Sequence, residues 1–182
     1  MARIVYEFDP VERFIAGTVG QPGERTFFLQ ASSGSKLVSV ALEKMQVGAI
    51  TDRVIEILQQ VARNDYALAK HRTADDIAPL SQPILEEFRV GVIGIVWESK
   101  KERLLLELQA MGDNENEFDD LVLEDADSAP DIMRVLLTTK QAIEFVLRSR
   151  SVISAGRAPC PFCGAPLDPQ GHLCPRANGY RR

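Results

Sequence analysis

The chain has 182 residues, 45 % hydrophobic and 26 % charged, with a net charge of −5. These values fit one ordinary globular core plus at most a small appendage, and exclude low-complexity or fibrous classes. No apolar run approaches the roughly 20 residues of a membrane-spanning helix, and Met1 to Phe8 alternates without a secretory leader, so a cytoplasmic protein is expected.

From the N-terminus, alternation predicts strands over Arg3 to Phe8, Arg13 to Val19, Arg25 to Ala31 and Lys36 to Leu42. Asp9-Pro10, Gln21-Pro22-Gly23 and Ser32 to Ser35 turn between them. Connections this short predict antiparallel hairpins. From about Ala49 the period lengthens: Ile50, Val54, Ile57, Leu58 and Val61 share one face of a helix running to about Lys70. A polar, Pro-punctuated connector, His71 to Pro83, leads to further strands at Phe88 to Trp97, Arg103 to Ala110 and Ile132 to Leu137. Gly91 and Gly94 mark a bulge or a close backbone approach in the first of these. Thr138 and Gln141 then have the spacing of a capping box, opening a helix through Ala142, Ile143, Val146, Leu147 and Arg150.

The expected fold is therefore α+β with a mainly antiparallel sheet, in a body of residues 1–155 followed by a small lobe of residues 156–182. Strands followed by one helix occur twice. Gly23-Glu24-Arg25 before Leu29-Gln30-Ala31 also resembles Lys101-Glu102-Arg103 before Leu108-Gln109-Ala110, so two β-β-β-α halves, about 11–65 and 88–153, are expected.

The most specific chemistry lies near the C-terminus. Cys160, Cys163, His172 and Cys174 use all three cysteines of the chain. Three thiolates and an imidazole close a tetrahedral shell with no open position for water, so one structural zinc per chain is expected. Pro161 and Gly164 suit a tight knuckle, and Pro166, Asp168, Pro169 and Gly171 supply the return turn. Asp168 is a weaker substitute ligand. A Cys160–Cys163 disulfide and a redox pair are the alternatives; the redox reading expects a βαβ unit beside the pair, and none is evident in the sequence.

Charge is uneven. From Arg148 onward six arginines stand against one acid, Asp168, giving +5 and leaving −10 on the body. Arg176, Arg181 and Arg182 are the expected contact for an anionic partner, the alternative being that the tail docks on its own acidic body. Nucleic acid is an unfavourable partner for a body this acidic, although a zinc lobe keeps that reading open.

Elsewhere no catalytic constellation stands out. Ser32-Ser33-Gly34-Ser35-Lys36 lacks the spacing of a phosphate-binding loop. His71, near Arg63, Lys70, Arg72, Asp75 and Asp76, suits either an anionic-ligand pocket or a solvated connector. The eight acids between Asp113 and Asp127 lack a calcium-loop order and read as a solvated excursion.

The tail, Cys-Pro-Phe-Cys-Gly through His-x-Cys-Pro-Arg-Ala-Asn-Gly-Tyr-Arg-Arg, and the opening Tyr-Glu-Phe-Asp-Pro-Val-Glu-Arg-Phe-Ile-Ala-Gly-Thr-Val-Gly resemble an uncharacterised actinobacterial family, a domain of unknown function. That resemblance spans essentially the whole chain and implies no activity, substrate or catalytic residue. The expected role is a zinc-binding module for a protein partner. An enzyme or binder of a phosphorylated small molecule is the alternative.

Overall fold

The structure, a computed structural model, describes residues 2–61, 72–112, 129–156, 160–165, 167, 172 and 174–176. The strands are β1 (Val5–Phe8), β2 (Arg13–Val19), β3 (Thr26–Ser33), β4 (Lys36–Leu42), β5 (Glu86–Glu98), β6 (Arg103–Ala110) and β7 (Ile132–Leu137). The helices are α1 (Lys44–Val61), between β4 and β5, and α2 (Thr139–Ser154), after β7.

The seven strands form one sheet in the order β1-β7-β6-β5-β4-β3-β2. Four of its pairings are antiparallel; β1 with β7 and β4 with β5 are parallel. This is the expected α+β class with a mainly antiparallel sheet. Residues 13–61 and 86–154 each contain three antiparallel strands and then a helix. No helix among the described residues is long and apolar enough to cross a membrane.

The strand connections depart from the expected hairpins in two places. First, β1 does not form a hairpin with β2 across Asp9-Pro10; it pairs in parallel with β7, Val5 opposite Ile132. The two consecutive strands thus sit at opposite ends of the strand order. A flat seven-stranded sheet would separate its edges by about 29 Å, whereas the five residue steps from Phe8 to Arg13 reach at most about 18 Å. The sheet therefore curls. Its connector is fastened to the β3–β4 turn, with Glu12 N–H donating to Ser32 O at 3.0 Å and Gly34 N–H to Glu12 Oε2 at 3.1 Å. Lys36 Nζ completes the fastening, donating to Glu7 O at 3.0 Å while lying 4.7 Å from the Phe8 ring centroid.

Second, a βαβ unit does exist: β4 leads through α1 to the adjacent parallel β5. The sequence hid it because β4 also belongs to the antiparallel β2-β3-β4 run, so local patterning suggests hairpins throughout. The cysteines follow α2 and lie outside this unit.

Helix α1 also starts earlier than its apolar period suggested. Gln46 Oε1 accepts from the Glu43 N–H at 2.8 Å, which fixes the start, and Val47 joins the buried face. Its expected extension toward Lys70 lies outside the described residues. Helix α2 begins as predicted, with both arms of the Thr138–Gln141 capping box formed. Gln141 Nε2 further donates to Val11 O at 2.8 Å, tying the helix start to the β1–β2 connector.

Period-2 alternation divides the sheet. Phe14, Ala16, Leu29, Ala31, Val38, Val40 and Leu42 face the main core, where Phe14 stacks on Phe145 of α2 with ring centroids 4.9 Å apart. Ile15, Phe28 and Ala41 face the other way and form a second cluster with Leu80. The connector after His71 is therefore not simply solvated: it crosses the outer face of β2-β3-β4 as a strap. Gly17 makes room for it, since a Cβ there would come within 2.5 Å of Leu80 Cγ. Buried Gln30 holds the strap by accepting from Ser81 N–H at 2.7 Å and donating to Ser81 O at 3.1 Å.

Gly91 fulfils both of its expectations. The β5–β6 register slips between Val90 and Val92, and a Cβ on Gly91 would approach Met111 Cα to 2.8 Å. Gly94 instead pairs regularly with Glu107.

Asp76 anchors the other end of the strap. Arg13 donates to it from Nε and from Nη2, the latter at 2.9 Å to Oδ1, and Arg148 Nη1 lies 3.5 Å from Oδ1. The Arg13 hydrogen bonds hold its carboxyl below the ordinary value despite partial burial, helped by the Arg13 charge, the Ala78 N–H and the Arg148 charge. A depressed carboxyl stabilises the fold above its unfolded pKa of about 3.9, and that contribution is lost as pH falls through the lower folded value. Asp76→Asn is expected to flatten the acid limb of stability below about pH 4 in urea titrations at stepped pH. An unchanged limb would show that Asp76 does not contribute to it.

Candidate metal centre

The knuckle begins four residues after Gly156. Cys160 O accepts from Gly164 N–H at 2.8 Å, and Cys160 N–H donates to Ala165 O at 2.7 Å, folding the Cys-Pro-Phe-Cys segment back on itself. Gly164 makes the reversal at φ +75°, in the left-handed region that glycine enters without a Cβ penalty. Both halves of the motif converge: one ligand atom from each of Cys160, Cys163, His172 and Cys174 lies within 4.8 Å of every other.

All three cysteines are free, so the Cys160–Cys163 disulfide is not formed. Cys160 Sγ and Cys174 Sγ are 3.8 Å apart. A tetrahedral ion with bonds of about 2.3 Å to sulfur has a sulfur–sulfur edge of about 3.8 Å. The Cys163 Sγ to His172 Nε2 separation is 3.1 Å, shorter than the ~3.5 Å of an ideal sulfur–nitrogen edge. An ion held by all four groups would take this sulfur–nitrogen edge as the shorter one.

Burial opposes ionisation of the cysteines, and backbone N–H groups favour it. Cys160 and Cys174 are only 4 % and 1 % exposed, so water has little access to that side of the cluster. Burial pushes the Cys160 thiol up, but the N–H groups of Cys163 and Phe162 and the thiols of Cys163 and Cys174 together hold it below its ordinary value. For Cys163 the Ala165 N–H pulls down, yet burial and the two neighbouring sulfurs raise it overall. Three thiols in one pocket cannot all ionise without a cation. His172 presents Nε2 to the sulfurs, while its buried Nδ1 has no hydrogen-bond partner among the described residues.

The other sequence-based candidates divide. Arg176 donates to Phe162 O at 3.2 Å, bracing the knuckle tip. Arg148 does not belong to a basic tail: it is buried in α2 and donates to Ala16 O, Asp76 O and Ala78 O. Arg72 pairs with Asp75 and Glu144. His71, Asp168, Arg181, Arg182 and the acids of 113–127 lie outside the described residues.

Sequence reasoning missed a second cluster, Arg25 with Lys44. Their side chains come together beside Gly156, although no shared motif or spacing connects them.

The family described as "Protein of unknown function (DUF3090)" matches residues 6–174. No curated protein and no solved structure matches the chain. The match extends from β1 to Cys174, taking in the curled sheet, α1, α2 and the Cys/His cluster, and the chain belongs to this family of uncharacterised domains.

Proposed function

We propose that the chain is a zinc-binding protein whose metal is structural and whose role is binding rather than catalysis at the metal. The observation that carries this reading is the convergence of three sulfurs and one imidazole nitrogen within 4.8 Å. Four protein ligands complete zinc's usual tetrahedral shell and leave no position for a substrate or an activated water. The metal then serves to hold the knuckle in shape. At its tip Phe162 is 43 % exposed, beside Arg176. Aromatic and arginine side chains are the types that most often anchor protein partners, which supports an adaptor role for the lobe, with Arg181 and Arg182 extending the cationic contact.

Metal analysis of the purified chain tests the first part directly. One zinc per chain is expected, and Cys163→Ser should lose it while the far-ultraviolet circular dichroism of the body stays unchanged. Absence of zinc, or full occupancy in Cys163→Ser, would overturn the assignment. For the adaptor role, reversing the charge of Arg176, Arg181 and Arg182 together should weaken partner capture with a stability change of no more than about 1 kcal/mol.

A further inference from the structure

Arg25, just before β3, and Lys44 at the start of α1 meet near the end of α2. A Cβ on Gly156 would lie 3.6 Å from Arg25 Nη2 and 3.8 Å from Lys44 Nζ, so both cations flank one point. They line a cavity of about 460 Å³ with Gly23, Phe27, Ile153 and Ser154, and no carboxylate lines it among the described residues.

Two like charges converging without a counter-charge is unfavourable, and this chain carries 26 acids from which a partner could have been drawn. The nearest acid in sequence to Lys44 is Glu43, which instead pairs with Arg89 at 2.9 Å. Arg25 lies over an aromatic ring instead, its guanidinium carbon 5.7 Å from the Phe27 centroid. Capping of α2 does not account for the pair. A helix C-terminus offers only about half a negative charge, and the N-terminus of α1, where Lys44 sits, carries about half a positive one. The two helix ends offset each other, leaving two full charges.

We infer that this cavity is a binding site for a small organic phosphate. Arg25 supplies a planar fork suited to two phosphoryl oxygens, and Lys44 a compact second cation. The cavity is within the roughly 300–1,000 Å³ range of small-molecule sites, with room beyond the phosphoryl group. Phe27 and Ile153 provide an apolar wall for the ligand body. The site is distinct from the Cys/His cluster and does not depend on it.

The test uses the full-length, metal-loaded chain, titrated by calorimetry with phenyl phosphate, with inorganic phosphate, and with sodium chloride at matched ionic strength. Phenyl phosphate is expected to bind saturably at one site per chain, about fivefold or more tighter than inorganic phosphate because its ring is buried. Arg25→Gln and Lys44→Gln should each weaken it about tenfold or more. Gly156→Asp should place a resident carboxylate between the two cations, abolishing binding while raising the melting temperature. This variant separates occupation of the site from damage to the fold. Heats no larger than those of chloride, or undiminished affinity in Arg25→Gln/Lys44→Gln, would overturn the site. Equal affinity for inorganic and phenyl phosphate would overturn its assignment to an organic ligand.

Discussion

Chelating the metal at neutral pH is expected to disorder the knuckle and leave the sheet intact. Within the described residues, the lobe's own structure includes two backbone hydrogen bonds, Gly164 to Cys160 and Cys160 to Ala165, and the Arg176 brace on Phe162. Each such bond contributes about 1 kcal/mol net. Structural zinc binding is worth about 10–16 kcal/mol in small lobes, so a zinc held by the cluster would dominate the local balance. No described residue of the lobe belongs to the main core cluster. Hydrogen exchange at residues 160–165 should therefore rise at least a hundredfold on chelation, while the amides of β2–β4 and β5–β7 keep their protection. Loss of protection throughout would mean that the lobe is integral to the body's cooperative unit. Unchanged protection in the knuckle would mean that the metal does not hold it.

The second large effect is expected at Arg148. Its Nε donates to Ala16 O at 2.7 Å, Nη1 to Asp76 O at 2.6 Å and Nη2 to Ala78 O at 2.7 Å, so one guanidinium joins α2, β2 and the strap. Burial lowers its pKa, opposed by the Asp76 charge, with the Arg13 charge lowering it further. Arg148→Met keeps much of the side-chain volume but removes three hydrogen bonds to carbonyls, leaving Ala78 O with only its bond from Arg13 Nη2 at 3.0 Å and Asp76 with Arg13 alone among its two arginines. A loss of about 3–5 kcal/mol is expected, read as a lower urea midpoint. Arg148→Lys should recover only part of it, because an ammonium cannot reproduce the planar fork. A cost below about 1 kcal/mol for Arg148→Met would show that the strap is held mainly by Leu80, Gln30 and the Arg13–Asp76 pair.

What could be read from the sequence was local. The Thr138–Gln141 box, the alternation of β2 to β4 and the Cys-x2-Cys knuckle each depend on residues within a few positions of one another, and each forms as expected. The partner of β1 is over a hundred residues away, and an alternating Val-Tyr-Glu-Phe run fits a parallel neighbour as well as a hairpin. The strap looked solvated because its polar residues are frequent and its anchors are isolated: Leu80 fits over a glycine in another strand, and Asp76 pairs with arginines from β2 and α2. Arg25 and Lys44 were silent for a similar reason, since they open different elements that come together only after both helices pack.

The pairing of β1 with β7 also bears on the order in which the chain completes itself during synthesis. At about 5–20 residues per second, the ribosome needs about 6–26 s to go from Phe8 to Leu137. For that interval β1 has no edge to join, although the short connector already keeps it beside β2. Once β7 is made, its outer rim is a bare row of amides and carbonyls until the first strand of the chain arrives to cover it. A nascent chain stalled before Ile132 would therefore have β1 without its native neighbour. Strand β1 acts as the clasp of the sheet: it precedes the other six strands in the chain and seals the edge left by the last of them.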